Sequence, residues 1–190
     1  MLAGLFRDAV AELVHDTLDG FLSAAPGLEH PALCRLTPSA DGQGSPLVAV
    51  VGDVALGRAL GAIGKRRAAG RAPAYALRVA APAKARGARK LEGVLVAESP
   101  LELPLEAGAL AVLIGVGAMT SPEPGRWLAE WTRVVRPGGG LILVDRCAAP
   151  VATRHALCAR MLELEQRHSG RAVVTSGLIA PQPARTLQVA

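Results

Sequence analysis

Aromatic residues are scarce in this chain, at 3% of 190 residues, although apolar residues make up 51%. Alanine, valine and leucine must therefore fill most of the interior. Because small side chains leave little thickness between packed elements, we expect helices that lie close against a sheet. A chain of this length is sufficient for one domain with a substantial core.

Cysteine is also rare. The chain has three cysteines, Cys34, Cys147 and Cys158, and no Cys-x-x-Cys spacing. An odd number without that spacing disfavours a disulfide framework and is typical of a reducing cytosol, so we predict a cytoplasmic protein. The four histidines show no zinc-type spacing with these cysteines, and we predict no metal site.

Acidic residues are absent from the span between Arg58 and Lys90. The basic residues of this span are Arg58, Lys65, Arg66, Arg67, Arg71, Arg78, Lys84, Arg86, Arg89 and Lys90. They form either a solvated face of two helices or a surface for an acidic partner, which would be a protein or the phosphates of a nucleic acid. Tyr75 is the one aromatic residue in the span, which disfavours single-stranded nucleic acid, because such sites stack bases on aromatic rings.

Long hydrophobic runs are missing as well. The longest, Ala107 to Met119, is interrupted by glycines and is shorter than the ~20 residues of a membrane span. The N-terminal stretch carries Asp8, Glu12, Asp16 and Asp19 where a secretory signal would be apolar. We therefore predict neither a membrane span nor a secretory signal.

An amphipathic helix is predicted over Met1–Leu22. Its apolar side consists of Leu2, Leu5, Phe6, Val10, Leu13, Val14, Leu18, Phe21 and Leu22. This stripe either covers the domain's own sheet or ligand cleft, or faces outward as a dimer or partner helix. We thus predict a protein partner or a homodimer through this helix or through the basic 58–90 face, with nucleic acid less favoured.

Apolar strands alternate with helical segments along the middle of the chain, which is typical of a parallel sheet covered by helices on both faces. The predicted strands are Pro46–Gly52, Ala74–Ala80, Gly93–Ala97, Leu110–Val116 and Leu141–Val144, with a possible further strand at Ala32–Leu36. The predicted helices are Leu56–Ala69, Glu123–Arg136 and Val151–Arg160, and Lys84–Lys90 is a helix or a loop. Met161–Arg167 and Arg171–Ser176 flank a His-Ser-Gly turn and indicate an antiparallel hairpin.

The stretch Trp131–Asp145, WTRVVRPGGGLILVD, combines a helix end, a stop at Pro137, a glycine turn and a buried strand. It resembles the fifth-strand region of class I S-adenosylmethionine-dependent methyltransferases, in particular those of methyltransferase type 11. The resemblance covers residues 47–177. It implies an α/β, three-layer Rossmann-like fold with a mostly parallel seven-stranded sheet, a C-terminal antiparallel hairpin and an added N-terminal helix.

This resemblance also implies a division of the chain. Residues 1–45 are the N-terminal helix and a connecting loop, residues 46–179 the methyltransferase-like domain, and residues 180–190 a loose C-terminal tail.

Within the domain, Trp131 is expected to face inward and Trp127 to be half exposed. Asp145 is expected to act as a local cap or to pair locally.

The cofactor loop departs from the family's pattern. In the family, S-adenosylmethionine lies against a loop after the first strand that has an acidic residue and three spaced glycines. In VVGDVALG, Gly52 matches the first glycine, but Val54 and Leu56 replace the next two and Val50 replaces the acidic residue. The loop also lacks the Lys and Ser or Thr of a phosphate-binding P-loop after Gly57, which excludes that class of site.

Two further cofactor positions follow later strands. Ala80 or Ala81 stands where the family has a carboxylate for the ribose hydroxyls, whereas Glu98 fits the acidic residue that faces the adenine. The candidate cofactor-binding residues are Gly52, Asp53, Glu98, Ser99 and Gly115. No residue is a candidate catalytic base.

The resemblance, with these departures, predicts a decayed site at which S-adenosylmethionine binds weakly or not at all. The chain would then be a pseudoenzyme that acts by protein binding or scaffolding. The alternative is an active S-adenosylmethionine-dependent methyltransferase on an unknown acceptor.

Overall fold

A seven-stranded sheet with helices on both faces forms the centre of the computed structural model, which describes residues 4–23, 47–69, 75–81, 94–97 and 99–180. The helices are α1 (Gly4–Ser23), α2 (Val54–Arg67), α3 (Pro124–Val134) and α4 (Ala149–Cys158), with a 3-10 turn at Ala118–Thr120. The strands are β1 (Leu47–Val51), β2 (Ala76–Ala81), β3 (Val94–Val96), β4 (Leu110–Val116), β5 (Val135–Asp145), β6 (Met161–Ser169) and β7 (Ala172–Ile179).

The strand order is β3-β2-β1-β4-β5-β7-β6. The first five strands of this order are parallel, and β7 runs antiparallel to both β5 and β6. The predicted α/β fold, with its terminal hairpin, is therefore confirmed. The order reverses direction between β1 and β4, so the carboxyl ends of these two strands form the crevice at which open α/β sheets bind ligands.

The N-terminal helix covers the sheet of its own chain. Val10, Ala11, Val14 and Leu18 are fully buried, in a core that includes alternate residues of β1, β4, β5 and β7 together with α2. The opposite face of the sheet packs on α3 and α4 around Trp131. For the part of the α1 stripe that the structure describes, from Val10 to Leu22, the interpretation that applies is the one in which the stripe packs within the chain.

The outward side of α1 is acidic and faces the basic end of α2. Arg67 contacts Glu12, Asp16 and Asp19 at 2.6, 2.8 and 3.2 Å, and Arg66 also reaches Glu12. Asp16, followed by Glu12, raises the pKa of the Arg67 guanidinium above its ordinary value. Part of the basic 58–90 face is therefore neutralised inside the chain.

Helix α2 lies close to the sheet because it carries glycine on its inner side. A Cβ at Gly57 would lie 2.6 Å from the Val79 Cγ2 atom of β2. That distance is too short for any real Cβ contact, so Gly57 allows a separation that alanine would prevent. The close helix–sheet packing expected from the small-residue composition is present here.

Strand β5 begins earlier than the sequence predicts. The predicted strand is Leu141–Val144 after a glycine turn, whereas β5 starts at Val135, directly after α3. Leu110 pairs with Val135 and Val112 with Gly140, so residues 136–139 bulge opposite a single residue of β4. Because glycine tolerates such irregular backbone, the Pro-Gly-Gly-Gly segment bulges within the strand and does not end the pairing.

Several predictions lie outside the described residues: the possible strand at Ala32–Leu36, the Lys84–Lys90 segment, Glu98, and the tail beyond Ala180. The domain boundaries at 45/46 and 179/180 stay predictions. In the described ranges, no helix combines the length and the apolar character required to cross a lipid bilayer.

Candidate functional site

The carboxyl ends of β1 and β4 meet at Gly52. This residue has φ +95°, and a Cβ placed on it would lie 2.3 Å from the carbonyl oxygen of Val116. Only glycine fits this conformation and this approach. The first of the predicted cofactor residues therefore lies at the crevice that the strand order creates.

Asp53 follows directly and begins α2. Its Oδ1 atom accepts the backbone N–H groups of Ala55 at 2.8 Å and Leu56 at 3.0 Å. These are the donors that a helix N-terminus offers to an anionic ligand. With β1 ending at Val51 and α2 starting at Val54, the connection contains only Gly52 and Asp53.

The two residues that replace the family's glycines have different environments. Leu56 is fully buried in the core beneath α2, so its bulk lies away from the crevice. Val54 is half-buried at the first position of the helix. Of the two side chains that replace glycines, Val54 is therefore the one that is not enclosed in the core.

The end of β2 and the segment after β3 border the crevice on the other side. Ala80 is buried and pairs with Val51 of β1. Whether Ala80 or Ala81 corresponds to the family's ribose carboxylate stays a prediction. The hydroxyl of Ser99 accepts the backbone N–H of Leu101 at 3.1 Å. The indole N–H of Trp131 donates to the Pro100 carbonyl oxygen at 3.2 Å and holds this segment against α3.

Gly115, the last of the predicted cofactor residues, lies one residue before the end of β4. A Cβ there would lie 2.0 Å from the ring of Trp131, which is fully buried as expected. Trp127 is half-buried, also as expected, and its ring centroid lies 5.5 Å from that of Trp131. Gly115 thus makes room for the Trp131 ring, and a contact of Gly115 with a cofactor stays a prediction.

Asp145, at the carboxyl end of β5, is the functional candidate that sequence reasoning undervalued. Its side chain is buried, and Oδ1 accepts the backbone N–H of Met119 at 2.9 Å, which agrees with the expected local pairing. The second oxygen, Oδ2, is buried and has no hydrogen-bond partner among the residues that the structure describes. Burial raises the pKa of Asp145 from 3.8 to about 6, and burial together with Asp145 raises the pKa of the Cys147 thiol. The available signal was a lone carboxylate that closes an apolar strand at the ligand edge.

Two cavities lie elsewhere in the described part of the chain. One, of about 370 Å³, is bordered by Arg133, Pro137 and Arg160 near the start of β5. The other, of about 660 Å³, lies between α4 and β6 beside Leu157 and Gln166. Neither is lined by the predicted cofactor residues, so the crevice at Gly52 remains the candidate site.

Sequence comparison identifies no relative of this chain, because no known protein family and no curated protein matches it. Structural comparison does. A methyltransferase solved in complex with the Trm112 methyltransferase activator of Haloferax volcanii is 12% identical, with a TM-score of 0.59 over 93% of this chain and 95% of that one. A predicted O-methyltransferase from Agrobacterium tumefaciens is 15% identical, with a TM-score of 0.54 over 73% and 76%.

A third solved structure has a similar fold. The S-adenosylmethionine-dependent methyltransferase from Aquifex aeolicus is 14% identical, with a TM-score of 0.53 over 91% of this chain and 98% of that one. At these identities the likeness concerns the fold and not the chemistry. The chain therefore has the fold of the class I S-adenosylmethionine-dependent methyltransferases.

Proposed function

We propose that this chain is a methyltransferase-like domain whose S-adenosylmethionine site has decayed, and that it acts by binding or scaffolding another protein. The observation that carries the proposal is the hydrogen bonding of Asp53. Its carboxylate already accepts the N–H groups of Ala55 and Leu56 at the start of α2. A ligand with an anionic group at this helix end would meet a negative charge in place of free donors.

The end of β2 supports the same conclusion. Ala80 offers no acceptor for ribose hydroxyls, and a hydrogen bond to a charged group contributes about 1.5–3 kcal/mol. Without it, affinity for a nucleoside falls roughly tenfold to more than a hundredfold. Val54 adds bulk at the first turn of α2, where the family has glycine.

Protein binding is supported by the fold neighbours and by the charge of α2. The Haloferax methyltransferase of similar fold was solved with a protein activator. Because the apolar side of α1 from Val10 to Leu22 packs within the chain, the surface we assign to a partner is the outward face of α2, where Arg58 and Lys65 are exposed. Such a face suits an acidic protein surface.

The alternative function is an active S-adenosylmethionine-dependent methyltransferase on an unknown acceptor. It is favoured by Gly52, which keeps the left-handed conformation and the close approach to Val116 at the ligand crevice. The two functions differ in one measurable property, the affinity for the cofactor.

Titration calorimetry of the full chain with S-adenosylmethionine and with S-adenosylhomocysteine separates them. We expect no binding heat for the native chain with either compound. A double variant, Val54→Gly with Ala80→Asp, puts back two residues typical of the family and should regain measurable affinity if these positions cause the loss. Saturable binding of either compound by the native chain would contradict the decayed site.

The partner surface has its own test. Lys65→Glu reverses one charge on α2, and Arg171→Glu makes the same change at the exposed hairpin turn as a matched control. Proteins that the immobilised native chain captures from a cell extract should no longer bind to the Lys65→Glu variant and should still bind to the Arg171→Glu variant. Equal retention by all three chains would remove α2 as the partner surface.

A further inference from the structure

The turn that follows β4 is fastened to the end of β5 by two hydrogen bonds. The N–H of Gly117 donates to the Val144 carbonyl oxygen at 3.0 Å, and the N–H of Met119 donates to Asp145 Oδ1 at 2.9 Å. The turn then closes on itself, because Ser121 Oγ donates to the Ala118 carbonyl oxygen at 2.7 Å. Residues 117–121 therefore form a compact wall of the ligand edge, next to the crevice at Gly52.

Only one of the two Asp145 carboxyl oxygens accepts a hydrogen bond from the described residues. Asp145 is 2% exposed, one oxygen accepts one N–H, and the other oxygen has no hydrogen-bond partner in the described part of the chain. A buried carboxylate is stable only when its charge is compensated or when it binds a proton. The bond to Met119 also forms with a neutral carboxyl, since Oδ1 remains an acceptor, although the ionised form accepts more strongly and the bond therefore offsets part of the effect of burial.

Few charged groups surround this carboxyl. The turn itself, residues 117–121, has no titratable side chain. Helix α4 contributes His155, which acts electrostatically on Asp145, and Cys147 follows two residues later in the chain. On β7 the residue opposite Asp145 is Val173, and the adjacent Arg146 is exposed. In the described residues, no cation forms an ion pair with Asp145.

We propose that Asp145 is a proton-linked positioning residue that controls the 117–121 turn: protonated, it keeps the turn closed on β5, and ionised, it loosens the turn. An ionised Oδ2 is stabilised by water, and a movement of the turn away from β5 would admit water to this buried atom. The wall of the ligand edge would then change shape with pH. Because burial raises the pKa of Asp145 to about 6, the change falls between about pH 5 and 7.

Methionine methyl resonances provide a direct test in the intact chain. The chain has three methionines, of which Met119 is in the turn and Met161 is buried at the start of β6 as an internal reference. With ¹³C-methyl methionine, the Met119 signal should shift with a midpoint near pH 6, and the Met161 signal should not. Asp145→Asn should abolish the shift, whereas His155→Gln should keep the shift and raise its midpoint, because His155 lowers the pKa of Asp145.

Hydrogen exchange of the Met119 amide, corrected for the intrinsic pH dependence of exchange, gives a second measurement that needs no variant. For a carboxyl that titrates near 6 in the closed turn and near 3.8 in the open one, the open population rises about tenfold from pH 5 to pH 7. A Met119 signal without pH dependence, a shift that persists in Asp145→Asn or disappears in His155→Gln, or unchanged amide protection would each overturn the proposal.

Discussion

Two aspartates lie at the same edge of the sheet and differ in their burial and in their hydrogen bonding. Asp53 is half-buried, and one of its oxygens accepts two backbone N–H groups at the start of α2. Asp145 is buried and accepts one N–H, and its second oxygen has no partner within the described ranges. A carboxylate at a ligand edge is thus a structural cap where donors converge on it, and a source of strain and pH sensitivity where they do not.

The largest expected effect comes from removing the geometry that holds Asp53 in place. Gly52→Ala forces a side chain into a φ of +95° and against the Val116 carbonyl oxygen. The two costs together lower the free energy of unfolding by about 3 kcal/mol. Urea denaturation measures this. Gly125→Ala is the control, because a Cβ there meets nothing within 4 Å, and an equal loss in both variants would contradict the explanation.

Asp145→Asn should have the opposite sign and stabilise the protein at neutral pH. The raised pKa means that the folded chain binds the proton more tightly than the unfolded chain, so its stability falls as pH rises from about 4 to 6. The shift from 3.8 to about 6 corresponds to at most about 3 kcal/mol, and an unpaired amide reduces the gain to about 2 kcal/mol. Thermal unfolding of both chains should show a difference that is near zero at pH 4 and complete above pH 6. A variant less stable than the native chain at pH 7 would reverse the comparison.

Asp53→Ala tests the aspartate that caps α2. It removes the acceptor for two N–H groups at a helix start, and such caps contribute about 1 kcal/mol. The loss should be measurable by urea denaturation and should be largely recovered in Asp53→Asn, which keeps the acceptor. An equal loss in both variants would mean that the charge, and not the cap, stabilises α2.

The smallest effect concerns carboxylates that lie in water. Asp16, Glu12 and Asp19 surround Arg67 on the surface of α1 and α2. Exposed pairs contribute less than about 1 kcal/mol each, and salt screens them. Arg67→Ala should therefore lower the unfolding free energy by about 1 kcal/mol at low salt and by less at high salt. A cost independent of salt would indicate packing of the side-chain stem.

The fold was predictable because its signals are local and redundant. The apolar strand β4 has the predicted bounds, and the alternation of β6 with its His-Ser-Gly turn indicated the hairpin. The start of β5 was not predictable, since Pro137 and three glycines favour a turn and only pairing with β4 retains them in a strand. Here the tertiary contact overrides the local preference.

The place of Gly52 in the sheet was predictable, but the packing around the candidate site was not. Gly52 lies at the crevice as expected, because a glycine after the first strand reports a close approach of backbones. The sequence could not show that Leu56 points into the core or that Gly115 makes room for Trp131. It also could not show that one Asp145 oxygen has no hydrogen-bond partner among the described residues. Each of these depends on contacts between residues distant in the chain.

The burial of α1 has a consequence for the order in which the protein assembles. Its apolar residues share a core with Ala172 and Val174 of β7, so this helix leaves the ribosome long before the strand that it contacts is made. Until that strand emerges, the stripe on α1 has no complete surface to cover. Long separation between contacting segments also slows folding, so the nascent chain is the state in which this protein is most exposed to aggregation and to chaperones.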